Sequence, residues 1–353
     1  MARWFVIPVF IPQEGCRHDC LFCDQEAISG AGGSPLRAED VQAVIDQWLQ
    51  YTENAEGKSR TGTQVQVAFY GGTFTGLTKQ RQEDLLGAVQ PYLRSGQVDS
   101  LRCSTRPDLV DPERIALLRA YGVDLVELGV QSLEDELLQN CRRGHTAGQA
   151  ITAIQQLKAA GLRVGVQLML GLPGERFVHL RRTVAQVIRQ NPWCVRIYPL
   201  LVLKGSALAR MYACGDYQPL TLDRAVLLAA WMKKRFTAAR IPVIRMGLQP
   251  GESLERALIA GPYHPAFGQM VASRLMLGHT RRLLAGLGGE QTARLLIAPG
   301  DQPVFHGQRQ MNRQRLEELG LWRRFQLVPT ADIPRGQVRM EGIEEGRSNA
   351  QCQ

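Results

Sequence analysis

Short apolar runs with period-two alternation recur along the first two-thirds of the chain, separated by longer segments with helical periodicity. Phe5 to Ile11, Gln64 to Tyr70, Leu101 to Thr105, Asp124 to Val130, Arg163 to Leu170 and Val195 to Leu201 read as strands. Between and after them Glu39 to Tyr51, Thr78 to Leu93, Pro112 to Tyr121, Thr146 to Ala160, Glu175 to Arg189 and Leu222 to Ala239 read as amphipathic helices. Asp111-Pro112 is a helix start, an N-cap followed by proline at the first helical position. The polar stretch Asn54 to Gly62 reads as a loop.

Strands alternating with helices predict a parallel sheet with crossover helices, an α/β fold. Six β/α units are too few to close an eight-fold barrel, so the expectation is an open, TIM-like partial (β/α)6 barrel. Its active site is expected at the C-terminal ends of the strands. From about Pro242 the pattern changes. A strand-like Val243 to Leu248, helices near Leu254 and from His264 to Leu284, a strand at Ala293 to Ile297, a helix near Arg309 to Leu319 and a strand at Trp322 to Val328 form a smaller α+β extension. The expected organisation is a core over residues 1–240, an extension over 241–341 and a frayed tail over 342–353.

Composition excludes a disordered chain, with 44% hydrophobic and 21% charged residues. Forty-two Lys and Arg against thirty-three Asp and Glu give a formal charge of +9. That balance favours a polyanion such as RNA or an anionic small molecule, although the arginines are scattered rather than blocked. No apolar stretch is followed by a cleavage site and no run approaches the roughly 18 apolar residues of a membrane span. The expectation is a cytoplasmic protein with no membrane partner. Its eight cysteines are then free thiols rather than a disulfide framework.

Three cysteines are tightly grouped. Directly after the first strand, on a loop over residues 12–25, stands Gly15-Cys16-Arg17-His18-Asp19-Cys20-Leu21-Phe22-Cys23. Soft thiolates at such spacing suit zinc or an iron-sulfur cluster. Both usually take four ligands, and no fourth cysteine stands nearby. A three-thiolate [4Fe-4S] cluster has one iron open to a further ligand. Zinc remains the alternative, with His18 or the distant Cys141 as fourth ligand. Cys103, Cys141, Cys194, Cys214 and Cys352 otherwise read as structural or incidental.

The C-x-x-x-C-x-x-C array with an aromatic, Phe22, before the last cysteine resembles the cluster motif of the radical S-adenosylmethionine (SAM) superfamily. The resemblance implies a [4Fe-4S] cluster on Cys16, Cys20 and Cys23. It also implies SAM chelated at the open iron and cleaved by an electron from the cluster to methionine and a 5'-deoxyadenosyl radical. An electron donor such as flavodoxin or ferredoxin is implied with it. Other segments follow in the same order. Gly71-Gly72-Thr73, after the second strand, resembles the family's Gly-Gly segment at the methionine amino group of SAM, whereas in isolation it reads as a tight β/α turn. Gly129-Val130-Gln131-Ser132, Arg142-Arg143-Gly144-His145 and Leu170-Gly171-Leu172-Pro173-Gly174 look like the Elp3-type and coproporphyrinogen-dehydrogenase-type branch. In that branch the glutamine and the arginine contact SAM, which carries to Gln131 and Arg143, with Gly171 and Leu172 as further pocket residues. Ser104 to Asp108 and Tyr198-Pro199-Leu200 also resemble the branch, and the likeness covers roughly residues 5 to 205.

Period two puts Glu127, Gly129 and Gln131 on one face of the fourth strand, directing a carboxylate into the barrel. Glu127 is the weak catalytic candidate, and a satisfied interior salt bridge is its ordinary reading. Departures matter too: Elp3 proper has a longer cysteine spacing and an acetyltransferase domain that is not visible here. In the extension Gln249 to Glu252, Gly261 to Pro265 and His306 to Arg309 combine turn residues with polar side chains. The expected activity is reductive SAM cleavage followed by radical chemistry on an unidentified substrate. Alternatives are RNA base modification with tRNA as substrate and a non-catalytic heme or cluster carrier.

Overall fold

The structure, a computed structural model, describes residues 3–11, 14–16, 20–24, 35–56, 63–288 and 291–344. Seven parallel strands form its main sheet: β1 (Arg3–Ile11), β2 (Thr63–Gly71), β3 (Ser100–Thr105), β4 (Val123–Gln131), β5 (Arg163–Leu170), β6 (Cys194–Pro199) and, beyond the short β7 (Val202–Leu203), β8 (Val243–Met246). They lie in chain order, β1-β2-β3-β4-β5-β6-β8. A doubly wound sheet reverses strand order at a switch point; a barrel does not. The unreversed order, with β1 and β8 unpaired to each other, is that of an open partial barrel. The strand Val243–Met246, read from sequence as the start of the extension, pairs with β6 as a seventh strand.

The two faces of this sheet differ. On β5 and β6 the helix-facing Val166, Leu168, Leu170, Val195 and Ile197 are buried, while Gln167, Met169, Arg196 and Tyr198 on the other face are only half-buried. Alternation thus leaves a concave polar face open at the strands' C-terminal halves. The crossover helices begin where side chains satisfy their free N–H groups. Thr78 accepts from Arg81 N, Asp111 from Arg114 N, and Thr146 with Gln149 forms a capping box. The single helix expected over Thr78 to Leu93 is two, Lys79–Gly87 and Gln90–Arg94. Pro91 has no N–H to donate back to the Gly87 carbonyl, so the hydrogen-bond ladder of the first helix stops there.

The chain divides into two compact units, residues 1–222 with 235–265, and residues 223–234 with 266–353. The first also contains the antiparallel pair β7 and β9 (Leu258–Ala260). In the second, β10 (Thr292–Ile297) runs parallel to β11 (Phe325–Pro329) and antiparallel to β12 (Val338–Glu344). Its core is Leu284, Leu295, Ile297, Phe305 and Leu316. Residues 342–344, assigned by sequence to the frayed tail, complete β12, and residues 345–353 lie outside the described residues. Asn54 to Glu56 belong to the helix Ala38–Glu56, and 57–62 lie outside the described residues. No helix among the described residues is long and apolar enough to cross a membrane.

Candidate active site

The loop after β1 is seated by backbone on backbone. Gly72 N donates to Ile11 O at 3.2 Å and Thr73 N to Glu14 O at 3.0 Å. A Cβ on Gly71 would fall 2.2 Å from Ile11 O, and one on Gly72 would fall 2.2 Å from Glu14 O. One on Gly15 would meet Thr73 O at 2.3 Å. Only glycine allows the end of β2 and the cysteine loop to lie this close. Arg81 clamps the same loop through an ion pair to Glu14 at 3.3 Å. Further along, Leu21 N donates to Cys141 O and Leu208 N to Leu21 O.

Cys20 is buried, and Cys16 and Cys23 are half-buried. Arg143 donates from Nη1 to Cys20 Sγ at 3.1 Å and from Nη2 to Gly129 O at 2.6 Å. Arg106 reaches the same sulfur from Nη1 at 3.8 Å, holds Asp108 at 3.0 Å through Nε, and donates to the Arg143 carbonyl. Two guanidinium groups therefore flank one thiol, an environment suited to a negatively charged sulfur ligand. Phe22 packs with Leu172, Cys141 and Leu208, and the Arg143 guanidinium lies 5.9 Å over its ring. No three His, Cys, Asp or Glu side chains among the described residues are close enough to hold a metal ion. The structure thus puts three thiols on one loop without closing them around a centre. His18, the alternative zinc ligand, lies outside the described residues. Cys141, the other alternative, is buried among apolar side chains, and that burial pushes its thiol up to about 12.

Gln131 ends β4 in an unusual conformation. Its φ is +63°, and Ser132 N donates to Val130 O at 2.8 Å, the closure of a γ-turn. The β4–β5 register shifts at the same point. A left-handed glutamine is strained by about 1–3 kcal/mol, and such strain gathers at ligand sites. Among the described residues its Oε1 is buried without a hydrogen bond, as is Arg143 Nε. A Cβ on Gly129 would meet Gln131 Nε2 at 3.1 Å and Arg143 Nη2 at 3.3 Å, so the glycine lets both side chains reach the same spot. Two orphaned polar atoms beside a guanidinium-flanked cysteine fit a polar cofactor at this position.

Gly171 and Leu172 are built into the β5 turn. Gly171 N donates to Glu175 Oε2 at 2.6 Å, Tyr217 donates to Gly171 O at 2.7 Å, and Leu172 is buried. Burial raises the Glu175 carboxyl to about 7 against the pull of the Gly171 and Leu172 N–H groups. His145 is buried near Asp108, 4.0 Å from Nδ1 to Oδ1. Burial first, then Arg143 and Arg106, lowers its pKa to about 4.

Glu127 is the interior ion pair that its ordinary reading anticipated. It is 1% exposed, meets Arg102 at 2.9 Å and Arg196 Nε at 3.1 Å, and accepts from Gln167 at 3.2 Å. Arg196 in turn donates from Nη1 to Tyr198 at 3.0 Å and from Nη2 to Tyr70 at 2.5 Å. The sequence assigned no role to Arg102, Arg196 or Tyr70, and it marked Arg106 only within the Ser104 to Asp108 segment. The signal was present for Arg196 and Tyr198, whose alternation in Cys194–Pro199 directs both to the inner face. Of the extension's turn candidates, Gln249 accepts from Arg245, while His306 to Arg309 belong to the second unit.

The Radical SAM superfamily model matches residues 10–187, and the Radical_SAM C-terminal domain model matches residues 192–276. A tRNA uridine(34) acetyltransferase of Methanocaldococcus jannaschii is 28% identical over 260 residues, covering 65% of this chain and 48% of that protein. An uncharacterized protein of the same organism is 30% identical over 233 residues, covering 64% and 69%. The chain thus spans about half the length of the acetyltransferase it matches. Among solved structures, the N-terminally truncated archaeal Elp3 of Methanocaldococcus infernus shares the fold with a TM-score of 0.60 at 22% identity, over 79% of this chain and 64% of that one. The Elp3 likeness read from the motifs therefore extends to the arrangement of the sheet. With the family match running from residue 10 to 187 of 353, from the end of β1 through the helix after β5, this chain belongs to the radical SAM superfamily, whose members use a [4Fe-4S] cluster and SAM.

Proposed function

We propose that Cys16, Cys20 and Cys23 ligate a [4Fe-4S] cluster and that Gly71 to Thr73, Gln131 and Arg143 form the SAM pocket beside it. A cluster held by these cysteines would supply the electron for reductive cleavage of the SAM sulfonium, the chemistry that starts radical reactions in this superfamily. The chain's own part is positioning. Gly71 and Gly72 hold the cysteine loop against β2. Arg143 compensates charge at Cys20 and joins it to the inner face through Gly129 O. Gln131 offers an amide whose oxygen has no hydrogen-bond partner among the described residues. Phe22 and Leu172 wall the loop from behind in one apolar group, and Gly171 shapes the β5 turn.

The observation that carries this reading is Arg143, which bridges Cys20 and Gly129 beside the strained, unsatisfied Gln131. The test is anaerobic reconstitution with iron and sulfide, then SAM and a strong reductant. Formation of 5'-deoxyadenosine supports the reading; its absence, with or without candidate substrates, favours a heme or cluster carrier. A reductant such as flavodoxin or ferredoxin and a reducing compartment such as the cytoplasm accompany it. Cys103, Cys141 and Cys194, buried thiols outside any disulfide, agree with such a compartment. The net charge of +9 and the acetyltransferase relative motivate a second reading, modification of tRNA. Salt-sensitive tRNA binding by the holoprotein supports it, and no binding at low salt sinks it.

A further inference from the structure

Among the described residues, the open face of the sheet carries more positive charge than Glu127 neutralises. Arg102 and Arg196 share Glu127, which leaves the three with a formal +1. Arg245, in register with Arg196 on β8, adds another guanidinium whose partners, Gly247 O and Gln249 Oε1, are neutral. A buried carboxylate can bridge two guanidinium groups, one at each oxygen, as Glu127 does, but the third, Arg245, has no carboxylate partner among the described residues. Here the excess sits on the face where Gln167, Met169, Arg196 and Tyr198 remain half-open, not in the closed core.

The phenols define what that excess is fit to bind. Tyr70 and Tyr198 each accept a hydrogen bond from Arg196, at 2.5 and 3.0 Å, so each still has its own O–H to give. Burial lifts the Tyr70 phenol to about 12, so it stays a donor at any physiological pH. The Arg196 guanidinium stacks 4.9 Å over the Tyr70 ring, which fixes it between the two hydroxyls. Two O–H donors joined by a cation complement an acceptor-only group that carries negative charge. A neutral hydroxyl or amide leaves the charge uncompensated. The position also suits a reacting molecule: Glu127 lies two residues before Gly129 on the same face of β4, about 7 Å along the strand, and Gly129 O is held by the arginine that contacts Cys20.

We propose that Tyr70, Tyr198 and Arg196 form an oxyanion site for a small substrate bearing a carboxylate or phosphate. Its assignment to the substrate, rather than to a separate ligand, rests on the cluster-and-SAM reading above. The test is calorimetry on the full-length, anaerobically reconstituted chain with malonate, citrate and inorganic phosphate at constant ionic strength, with and without SAM. The expected result is saturable binding of the carboxylates or of phosphate, whichever class the substrate bears, undiminished by SAM. The Tyr70→Phe/Tyr198→Phe double variant, which keeps both rings, should weaken binding at least tenfold, and Arg196→Met should abolish it. Arg294→Met, at an exposed position in the second unit, should bind as the unaltered protein does. Absence of saturable binding in the unaltered protein, or equal binding by the double tyrosine variant, overturns the proposal. So does competition with SAM, which would identify the anion as SAM's own carboxylate. The double tyrosine variant decides if Arg196→Met does not fold. Oxyanion binding without 5'-deoxyadenosine formation sinks the cluster-and-SAM reading and leaves the anion site standing; 5'-deoxyadenosine without oxyanion binding sinks this inference alone.

Discussion

Replacing Gly72 with alanine separates two roles for the glycine pair, seating the cysteine loop or touching a ligand. The added methyl would fall 2.2 Å from Glu14 O and 3.0 Å from Glu14 N, both backbone atoms with no rotamer to move away. Restoring ordinary contact requires the loop to retreat by about 1 Å, which breaks the Thr73 N to Glu14 O bond. Overpacking of this kind costs about 1–3 kcal/mol and the hydrogen bond about 0.5–1.5 kcal/mol, together about 1.5–4.5 kcal/mol. At roughly 2 °C per kcal/mol for a domain of this size, the thermal midpoint should fall by about 3–9 °C. Because Cys16 follows Glu14 by two residues, iron and sulfide bound after anaerobic reconstitution should fall too. Gly87→Ala, where a Cβ meets nothing within 4 Å, is the control and should be neutral or slightly stabilising. If Gly72→Ala keeps the iron content and midpoint of the unaltered protein and loses only SAM affinity, the seating argument is wrong.

Gln131→Gly should relieve the left-handed backbone and raise the thermal midpoint, while weakening SAM binding about tenfold or more; unchanged SAM affinity contradicts the assigned role. Glu127→Gln leaves two buried arginines without their carboxylate and should cost about 3–5 kcal/mol in denaturant unfolding, and a loss under about 1 kcal/mol would show that the network is not a buried ion pair. His145 and Glu175 oppose each other with pH. With its pKa lowered from 6.5 to about 4, His145 stays neutral in the folded state while the unfolded chain takes up a proton. Its contribution therefore falls as pH drops through that window, by at most about 3 kcal/mol. Glu175, raised from 4.5 to about 7, holds its proton in the folded state, so its contribution falls as pH rises from 4.5 through 7. Glu175→Gln should therefore unmask a stability that rises between pH 4.5 and 6.5 in urea unfolding, and a pH profile identical to that of the unaltered protein refutes this assignment.

Much of the candidate site was legible because its motifs are local. Three cysteines after β1, two glycines at the end of β2, and Gln131 and Arg143 after β4 are each read within a few residues, and strand periodicity alone directs Glu127 inward. What was not legible depends on cross-strand partners. Gly71 and Gly72 suggested ligand approach, yet the atoms nearest them belong to Ile11 and Glu14. Arg106 was visible only as part of Ser104 to Asp108, since its approach to Cys20 spans 86 positions. Val243–Met246 was assigned to the extension because helices of similar pattern precede and follow it; only its pairing with β6 makes it a barrel strand. β12 escaped notice because its apolar-polar alternation lasts only from Val338 to Glu341 before the positive-φ Gly342 shifts the register, at a sheet edge.

The central claim, a three-cysteine cluster with one iron reserved for SAM, is tested most directly by metal analysis and EPR of the anaerobically reconstituted protein. About four irons and four sulfides per chain, and a reduced-cluster spectrum that changes when SAM is added, are the predicted results. Cys20→Ala should lose both. One zinc per chain with no iron or sulfide, or a cluster whose spectrum is unaffected by SAM, would contradict the account.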